Sequence, residues 1–305
     1  MILVKPSGVF EQSGFKTKQE VYQFIERIGR TCYKSESKTT EESAAPFVKM
    51  LMKRNHLAVL EHVSLTARFV FDRGVSHELV RHRLAAYAQE STRFCNYKKN
   101  GNILFVAPRW LTDLCDFDKI PRIELRLFSE SINKFNYTDI VADLLSKHKM
   151  RLGLCMEAHN AERIYDFLNI CIESENYYLK QVEAGYKPEE ARGGLVHFVK
   201  TEIVKTANLR SWLHVFSLRT SKYAHPDMRV AMNMLYEEFA RTYPEIVECS
   251  ELTRKKGIAL SINAAKQQMQ RLEFKDELGH PIETNQSITR LFELLTEEYG
   301  EYINE

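Results

Sequence analysis

The sequence predicts an α+β fold. Apolar stripes of helical period recur along much of the 305-residue chain. A stretch of period two over residues 63–71 marks a strand with one buried face. Helical stretches also follow one another directly, without the strand–helix alternation of a parallel βαβ protein.

Val21, Phe24, Ile25 and Ile28 recur at helical spacing, and Ala44, Phe47, Val48 and Leu51 repeat the pattern. After His56 the period becomes two: Val63, Leu65, Ala67, Phe69 and Phe71 alternate with Ser64, Thr66 and Arg68. Asp72-Arg73-Gly74 ends that strand, and Ser76 reads as the N-cap of a helix running through Arg83. Ile103 to Ala107 reads as a second short strand, closed by Pro108. Residues 112–165 are charged and weakly periodic, as expected of a helical insertion. A long helix follows through Ile164, Phe167, Leu168 and Cys171, stopping near Gly185 with Pro188 beyond. Pro226 opens another, with Met228, Ala231, Met232, Leu235 and Phe239 as its buried stripe. The tail carries one amphipathic helix (Ile288, Leu291, Phe292, Leu295, Tyr299). The expected organisation is a single domain over 1–247 with the 112–165 insertion, then a helical C-terminal extension over 248–305.

A composition of 44% hydrophobic and 28% charged residues is that of an ordinary globular protein. With 43 Lys+Arg against 41 Asp+Glu, the net charge of +2 excludes a globally basic nucleic-acid coat, so no nucleic-acid partner is expected. The N-terminus lacks the apolar run of a signal peptide and nothing approaches a membrane span, so a cytoplasmic protein without membrane contact is expected. Six cysteines lie far apart with no C-x-x-C pair and read as reduced core thiols. Neither G-x-G-x-x-G nor G-x-x-x-x-G-K-[ST] occurs, which argues against a Rossmann or P-loop cradle. His77-Glu78 and His82 come close to a zincin H-E-x-x-H, but the second His falls one residue late. On a helix such a pair would lie roughly 140° apart, so no metal site is expected.

Arginine clusters remain. Arg81-His82-Arg83 is followed by Ser91, Thr92 and Arg93; a second cluster holds Asn208, Arg210, His214 and Arg219; a third is Arg192-Gly193-Gly194. Guanidinium forks suit phosphates and planar carbonyl edges because they form two parallel charge-assisted hydrogen bonds. For any one arginine, a salt bridge to a neighbouring carboxylate is the competing explanation. The apolar flanks Val80, Leu84, Ala85 and Ala86 favour a ligand instead, because arginines in such surroundings need anions.

In this order, the segments resemble the flavin-dependent thymidylate synthases. That family's signature, R-H-R then seven residues then Ser, is matched by Arg81-His82-Arg83 and Ser91. Glu61-His62-Val-Ser64 resembles the family's E-H-x-[ST] strand start, and Arg30-Thr-Cys32-Tyr33 its A-R-x-[SC]-[FY] turn. Glu190-Ala-Arg192 and Asn208-x-Arg210 through Arg219 resemble its downstream segments. The resemblance covers roughly 18–110 and 160–245. Ala86, Ala88 and Gln89 stand where many members have Ser, Asn and Glu. Val196, Tyr223 and His225-Pro226 also depart from the usual residues.

The resemblance implies a small, mostly antiparallel sheet with surrounding helices, in a homotetramer with shared sites. It implies methylation of dUMP to dTMP, with methylenetetrahydrofolate as one-carbon donor and NADPH reducing FAD. It places dUMP against Glu78, Arg81, Gln89, Glu90, Ser91, Thr92, Arg93, Arg192 and Arg219. It places FAD against Ser64, Arg81, His82, Arg83, Gln89, Asn208, Arg210 and His214, where other members carry Asn at the position of His214. Arg219 would stabilise charge on the N3–C4 edge of the pyrimidine, and Ser91 would hydrogen-bond the substrate without acting as a nucleophile. No cysteine follows a proline, as the cysteine-dependent synthases would require. The competing readings are a pyrimidine nucleotide (hydroxy)methyltransferase on the same scaffold and a non-catalytic flavin- or nucleotide-binding homologue.

Overall fold

The computed structural model describes residues 2–11, 14–99, 103–114 and 158–250. Most of the 112–165 insertion and the helix expected over 288–299 lie outside them. In chain order the elements are β1 (Ile2–Val4), β2 (Ser7–Phe10), α1 (Lys18–Tyr33), α2 (Ala44–Lys53), β3 (Ser64–Asp72), α3 (Arg73–Leu79), β4 (Ala85–Gln89) and β5 (Leu104–Val106). Then come α4 (Arg109–Leu114), α5 (Ala158–Glu183), α6 (Pro188–Ala191), β6 (Lys200–Asn208), α7 (Leu209–Arg219), α8 (Pro226–Thr242) and α9 (Pro244–Val247). The architecture is α+β. A four-stranded sheet runs β2-β3-β6-β4, with β2–β3 and β4–β6 antiparallel, and β1 pairs with β5 in parallel.

The chain divides into two compact units. The first comprises Met1–Glu11, Thr66–Ala207 and His225–Met234. Its sheet buries one face through period-two alternation: Ala67, Phe69 and Phe71 on β3, and Thr201, Ile203, Lys205 and Ala207 on β6. β2 pairs beside β3 with Gly8 opposite Phe69. A Cβ on Gly8 would stand 3.0 Å from the Phe69 ring, so a larger residue there would force the ring to shift. Along α5, Ala161, Ile164, Phe167, Leu168 and Cys171 pack into a core with Phe105, Leu111 and Val199. The helix stops before Gly185, whose φ of 93° admits glycine readily. The stripe expected on α8, from Met228 to Phe239, is fully buried. No helix among the described residues is long and apolar enough to cross a membrane.

The second unit comprises Gln12–Leu65, Asn208–Ala224 and the chain from Leu235 onward. α1 begins at Thr17, whose side chain accepts from Glu20 N, and buries Val21, Tyr22 and Ile25. α7 buries Leu209, Trp212, Val215 and Phe216. The Trp212 indole donates to the Leu65 carbonyl at 3.1 Å, and Phe216 meets Phe239 at 5.3 Å between ring centroids.

Two expectations are corrected. The helix read from Ser76 through Arg83 spans Arg73–Leu79 instead. Asp72, in extended conformation, caps it four residues earlier by accepting from Val75 N at 2.7 Å. The chain must then turn to bring β4 beside β6, so Arg81-His82-Arg83 lies outside the helix. Of the described cysteines, which are all free thiols, Cys171 alone is a core residue; Cys32 is exposed, and Cys95 and Cys249 are half-buried.

Asp227, in the first turn of α8, is 2% exposed, and its Oδ1 has no hydrogen-bond partner among the described residues. Burial pushes this carboxyl up to about 6, against the pull of His225, from an ordinary value of about 3.9. Between those values the folded chain keeps a proton that the unfolded chain has released, so stability falls as pH rises through that window. Asp227→Asn should remove this part of the slope. Thermal midpoints of both proteins across the window check it, and identical slopes would contradict the assignment.

Candidate active site

In the first unit the signature forms a turn between α3 and β4. Arg81 and Arg83 are exposed, and among the described residues neither side chain makes a hydrogen bond or ion pair. His82 between them is buried. Leu84 closes the turn with a φ of 62°, in the left-handed region that a leucine seldom occupies. The turn is held from beneath. The Tyr87 hydroxyl lies 2.6 Å from the His82 carbonyl and 2.9 Å from that of Leu79.

Gln89 and Glu90 leave the end of β4 committed to the protein. The Gln89 amide donates to Ser76 Oγ at 2.9 Å and to Thr201 Oγ1 at 3.3 Å. Glu90 is a hub. One carboxylate oxygen accepts from Lys200 Nζ at 3.1 Å and Glu202 N at 3.2 Å, and the other from the Tyr97 hydroxyl at 2.9 Å. Its backbone carbonyl accepts from Arg73 at 3.3 Å. Ser91 Oγ accepts from Arg93 N at 3.3 Å, and among the described residues no histidine or carboxylate reaches that hydroxyl. Arg93 pairs with Glu189 at 2.9 Å, and Arg192 donates to the buried Thr92 hydroxyl at 3.3 Å. Glu78 is half-buried in the last turn of α3.

Gln89 and Glu90 line a cavity of about 610 Å³ together with Arg68, Tyr97, Lys200 and Glu202. Its cations are matched by carboxylates: Arg68 pairs with Glu11 and Glu202, and Lys200 with Glu90 and Glu202. A cavity of about 650 Å³, between Asp72, Trp110, Arg163 and Asp227, contains none of the residues that the resemblance places against dUMP or FAD.

In the second unit, Asn208 Oδ1 accepts from Ser211 N at 2.8 Å and caps α7. Arg210 and His214, one turn apart, are exposed on the face opposite Trp212. Arg210 pairs with Glu61 at 2.5 Å. Ser64 is exposed at the start of β3, and Arg219 is half-buried at the C-terminal end of α7.

Residues 16–245 match the sequence profile of the family described as thymidylate synthase complementing protein, Thy1. The chain belongs to this family. Flavin-dependent thymidylate synthase from Mycobacterium marinum is 29% identical over 208 residues, covering 67% of this chain and 70% of its own. The protein of the same name from Corynebacterium efficiens is 27% identical over 229 residues, covering 73% and 76%. Among solved structures, the UMP/dUMP methylase PolB from Streptomyces cacaoi, bound with 5-Br dUMP, superposes with a TM-score of 0.56. It is 16% identical and covers 81% of this chain and 95% of its own, a likeness of fold.

In this Thy1 chain, the first unit brings Glu78, Arg81, His82, Arg83, Gln89 to Arg93 and Arg192 into one region, whereas Ser64, Asn208, Arg210, His214 and Arg219 belong to the second. Tyr87, Lys205, Ser76 and Thr201 support the signature, yet nothing in their own sequence neighbourhood marks them. Glu90 differs most from its expected part as a ligand contact, since its carboxylate already serves three protein donors. Glu90→Ala should therefore destabilise the fold by about 2 kcal/mol, because it takes the acceptor from the buried Tyr97 hydroxyl while Lys200 keeps Glu202. Urea unfolding checks this. A loss below about 1 kcal/mol, within the range of an ordinary exposed pair, would return Glu90 to the ligand-contact role.

Proposed function

We propose that this chain is a flavin-dependent thymidylate synthase that converts dUMP to dTMP, with methylenetetrahydrofolate as one-carbon donor, FAD as the flavin and NADPH as its reductant. One observation carries the reading: within the family signature, Arg81 and Arg83 are exposed on a turn, and no carboxylate among the described residues pairs with them. Guanidinium groups left so are suited to phosphate oxygens, which accept two parallel hydrogen bonds from one fork.

The donor set fits a dinucleotide. Arg81 and Arg83 would hold the diphosphate of FAD, with His82 buried behind them. Asn208 has its oxygen engaged in the α7 cap, which leaves its amide NH2 as the group for the flavin. Arg210 and His214 present a fork and an imidazole on the same helix face. Bound FAD supplies the reducing equivalents that make the transferred carbon a methyl group.

For dUMP, Arg192 is the phosphate contact; its single 3.3 Å bond to Thr92 leaves most of the fork available. The Ser91 hydroxyl binds the nucleotide, and without a neighbouring base it stays a hydroxyl. Arg219 places a planar cation against the N3–C4 edge, where negative charge develops as C5 becomes nucleophilic. A homotetramer would cover Leu84 and Phe94, the apolar side chains exposed on either side of the signature.

The test is to incubate the protein with dUMP, methylenetetrahydrofolate, FAD and NADPH and to identify the product by mass. dTMP is expected. A hydroxymethyl product, or no turnover in folded protein that binds FAD, would sink the reading. Arg219→Lys keeps the charge but not the fork, and should lower turnover on the order of a hundredfold, equivalent to about 3 kcal/mol of transition-state stabilisation. Near wild-type turnover would make Arg219 structural.

A further inference from the structure

Lys205 is a lysine in a place that ordinarily takes an apolar residue. It lies on β6 in the row that buries Thr201, Ile203 and Ala207, and its exposure is 0%. Directly opposite it in the antiparallel register stands Tyr87 of β4. Residues paired this way share a face, and here the ammonium nitrogen donates to the Tyr87 hydroxyl at 3.2 Å. That hydroxyl is in turn within hydrogen-bond distance of the carbonyls of Leu79 and His82.

The order of these contacts fixes the direction of the chain of bonds. An ammonium has donors only, so Lys205 donates and the phenol oxygen accepts. The single phenol proton then goes to the turn, at 2.6 Å to the His82 carbonyl, with the Leu79 carbonyl alongside at 2.9 Å. A charged donor on the phenol oxygen polarises its O–H and strengthens the bond that O–H makes. These two carbonyls begin and nearly end the segment that presents Arg81. Arg83 and Leu84 follow at once. The left-handed backbone of Leu84, with its side chain 85% exposed, is a conformation that persists only where the surroundings over-determine it. A half-buried tyrosine with a buried lysine behind it supplies that determination.

We propose that Lys205 and Tyr87 form a positioning pair, which sets the conformation of the Leu79–Leu84 turn and thereby aims the Arg81 and Arg83 guanidinium groups at the anion they bind. The identity of that anion as the diphosphate of FAD rests on the function proposed above; the control of the turn does not. The pair acts through the backbone carbonyls of Leu79 and His82. Its burial also sets it apart from a stability device. Replacing a buried ammonium by an apolar side chain of similar volume is often neutral or stabilising for the fold as a whole, so global stability and local order should respond differently.

The test uses the full-length protein with Lys205→Met and, separately, Tyr87→Phe, which keeps the ring and removes the hydroxyl. Amide hydrogen exchange at Arg81 and His82, whose N–H groups bond to the Glu78 and Leu79 carbonyls, reports the turn without any ligand. Exchange there should quicken at least tenfold in both variants. In Lys205→Met, exchange within β3 should keep the wild-type rate and the thermal midpoint should be unchanged or raised, whereas Tyr87→Phe takes the acceptor from a buried ammonium and should lower the midpoint. FAD affinity, read by flavin fluorescence quenching, should weaken at least tenfold. Unchanged exchange at Arg81 and His82 would overturn the proposal. So would, in Lys205→Met, faster exchange that spreads to β3 with a falling midpoint, since that is plain loss of stability. If the turn loosens and the wild type binds no FAD, the positioning pair stands and the flavin reading falls. If the wild type binds FAD and both variants bind it equally well, the pair does not aim the arginines and the proposal is wrong.

Discussion

Arg81 and Arg83 stand two residues apart on one turn, and no carboxylate of the described chain comes to them. This is a constraint on the whole first unit. Three acidic residues of the first unit are engaged elsewhere: Glu90 with Lys200 and Tyr97, Glu202 with Lys200 and Arg68, and Glu189 with Arg93. Like charges held close without counter-ions raise the energy of the ligand-free state, and an arriving phosphate relieves it. A chain with a net charge of only +2 can thus keep a strongly anion-seeking spot by distributing its pairs rather than by being basic overall.

A site of this kind works only if the cations cannot collapse onto the protein, and the sheet supplies that rigidity. β6 lies between β3 and β4, so the polar side chains that it buries reach the signature from below. Thr201 meets Gln89, and Lys205 meets Tyr87. Buried polar groups of this sort hold a unique arrangement when every member is bonded. Gln89, where the resemblance would have Glu, fits this arrangement. An amide can donate to Ser76 and Thr201, whereas a carboxylate could only accept.

Much of this was legible in the residues, for physical reasons. The α8 stripe could be read because all five of its apolar side chains are fully buried, and the β3 alternation because its buried row is purely apolar. β4 and β6 could not be read that way. β4 is mostly alanine, a weak strand former, and β6 hides Thr201 and Lys205 in its buried row, which breaks the alternation that marks a strand. The arginine clusters were visible as clusters, but not their conformation. The turn depends on Tyr87 and on Lys205, 118 residues further along the chain, and Asp72 overrides Ser76 as the helix cap. The protein partners of Glu90 were not legible for the same reason: Lys200 and Glu202 arrive from a distant strand.

On the function proposed above, the exposed guanidinium groups of the signature turn, without protein partners among the described residues, hold the diphosphate of a flavin dinucleotide. The most direct measurement is the FAD dissociation constant of the wild type beside those of Arg81→Gln and Arg83→Gln, with thermal midpoints taken on the same ligand-free samples. Each substitution should weaken FAD at least tenfold and leave the midpoint unchanged or raised, because it removes an uncompensated charge. Wild-type affinity in both variants, or midpoints that fall in step with affinity, would contradict the account.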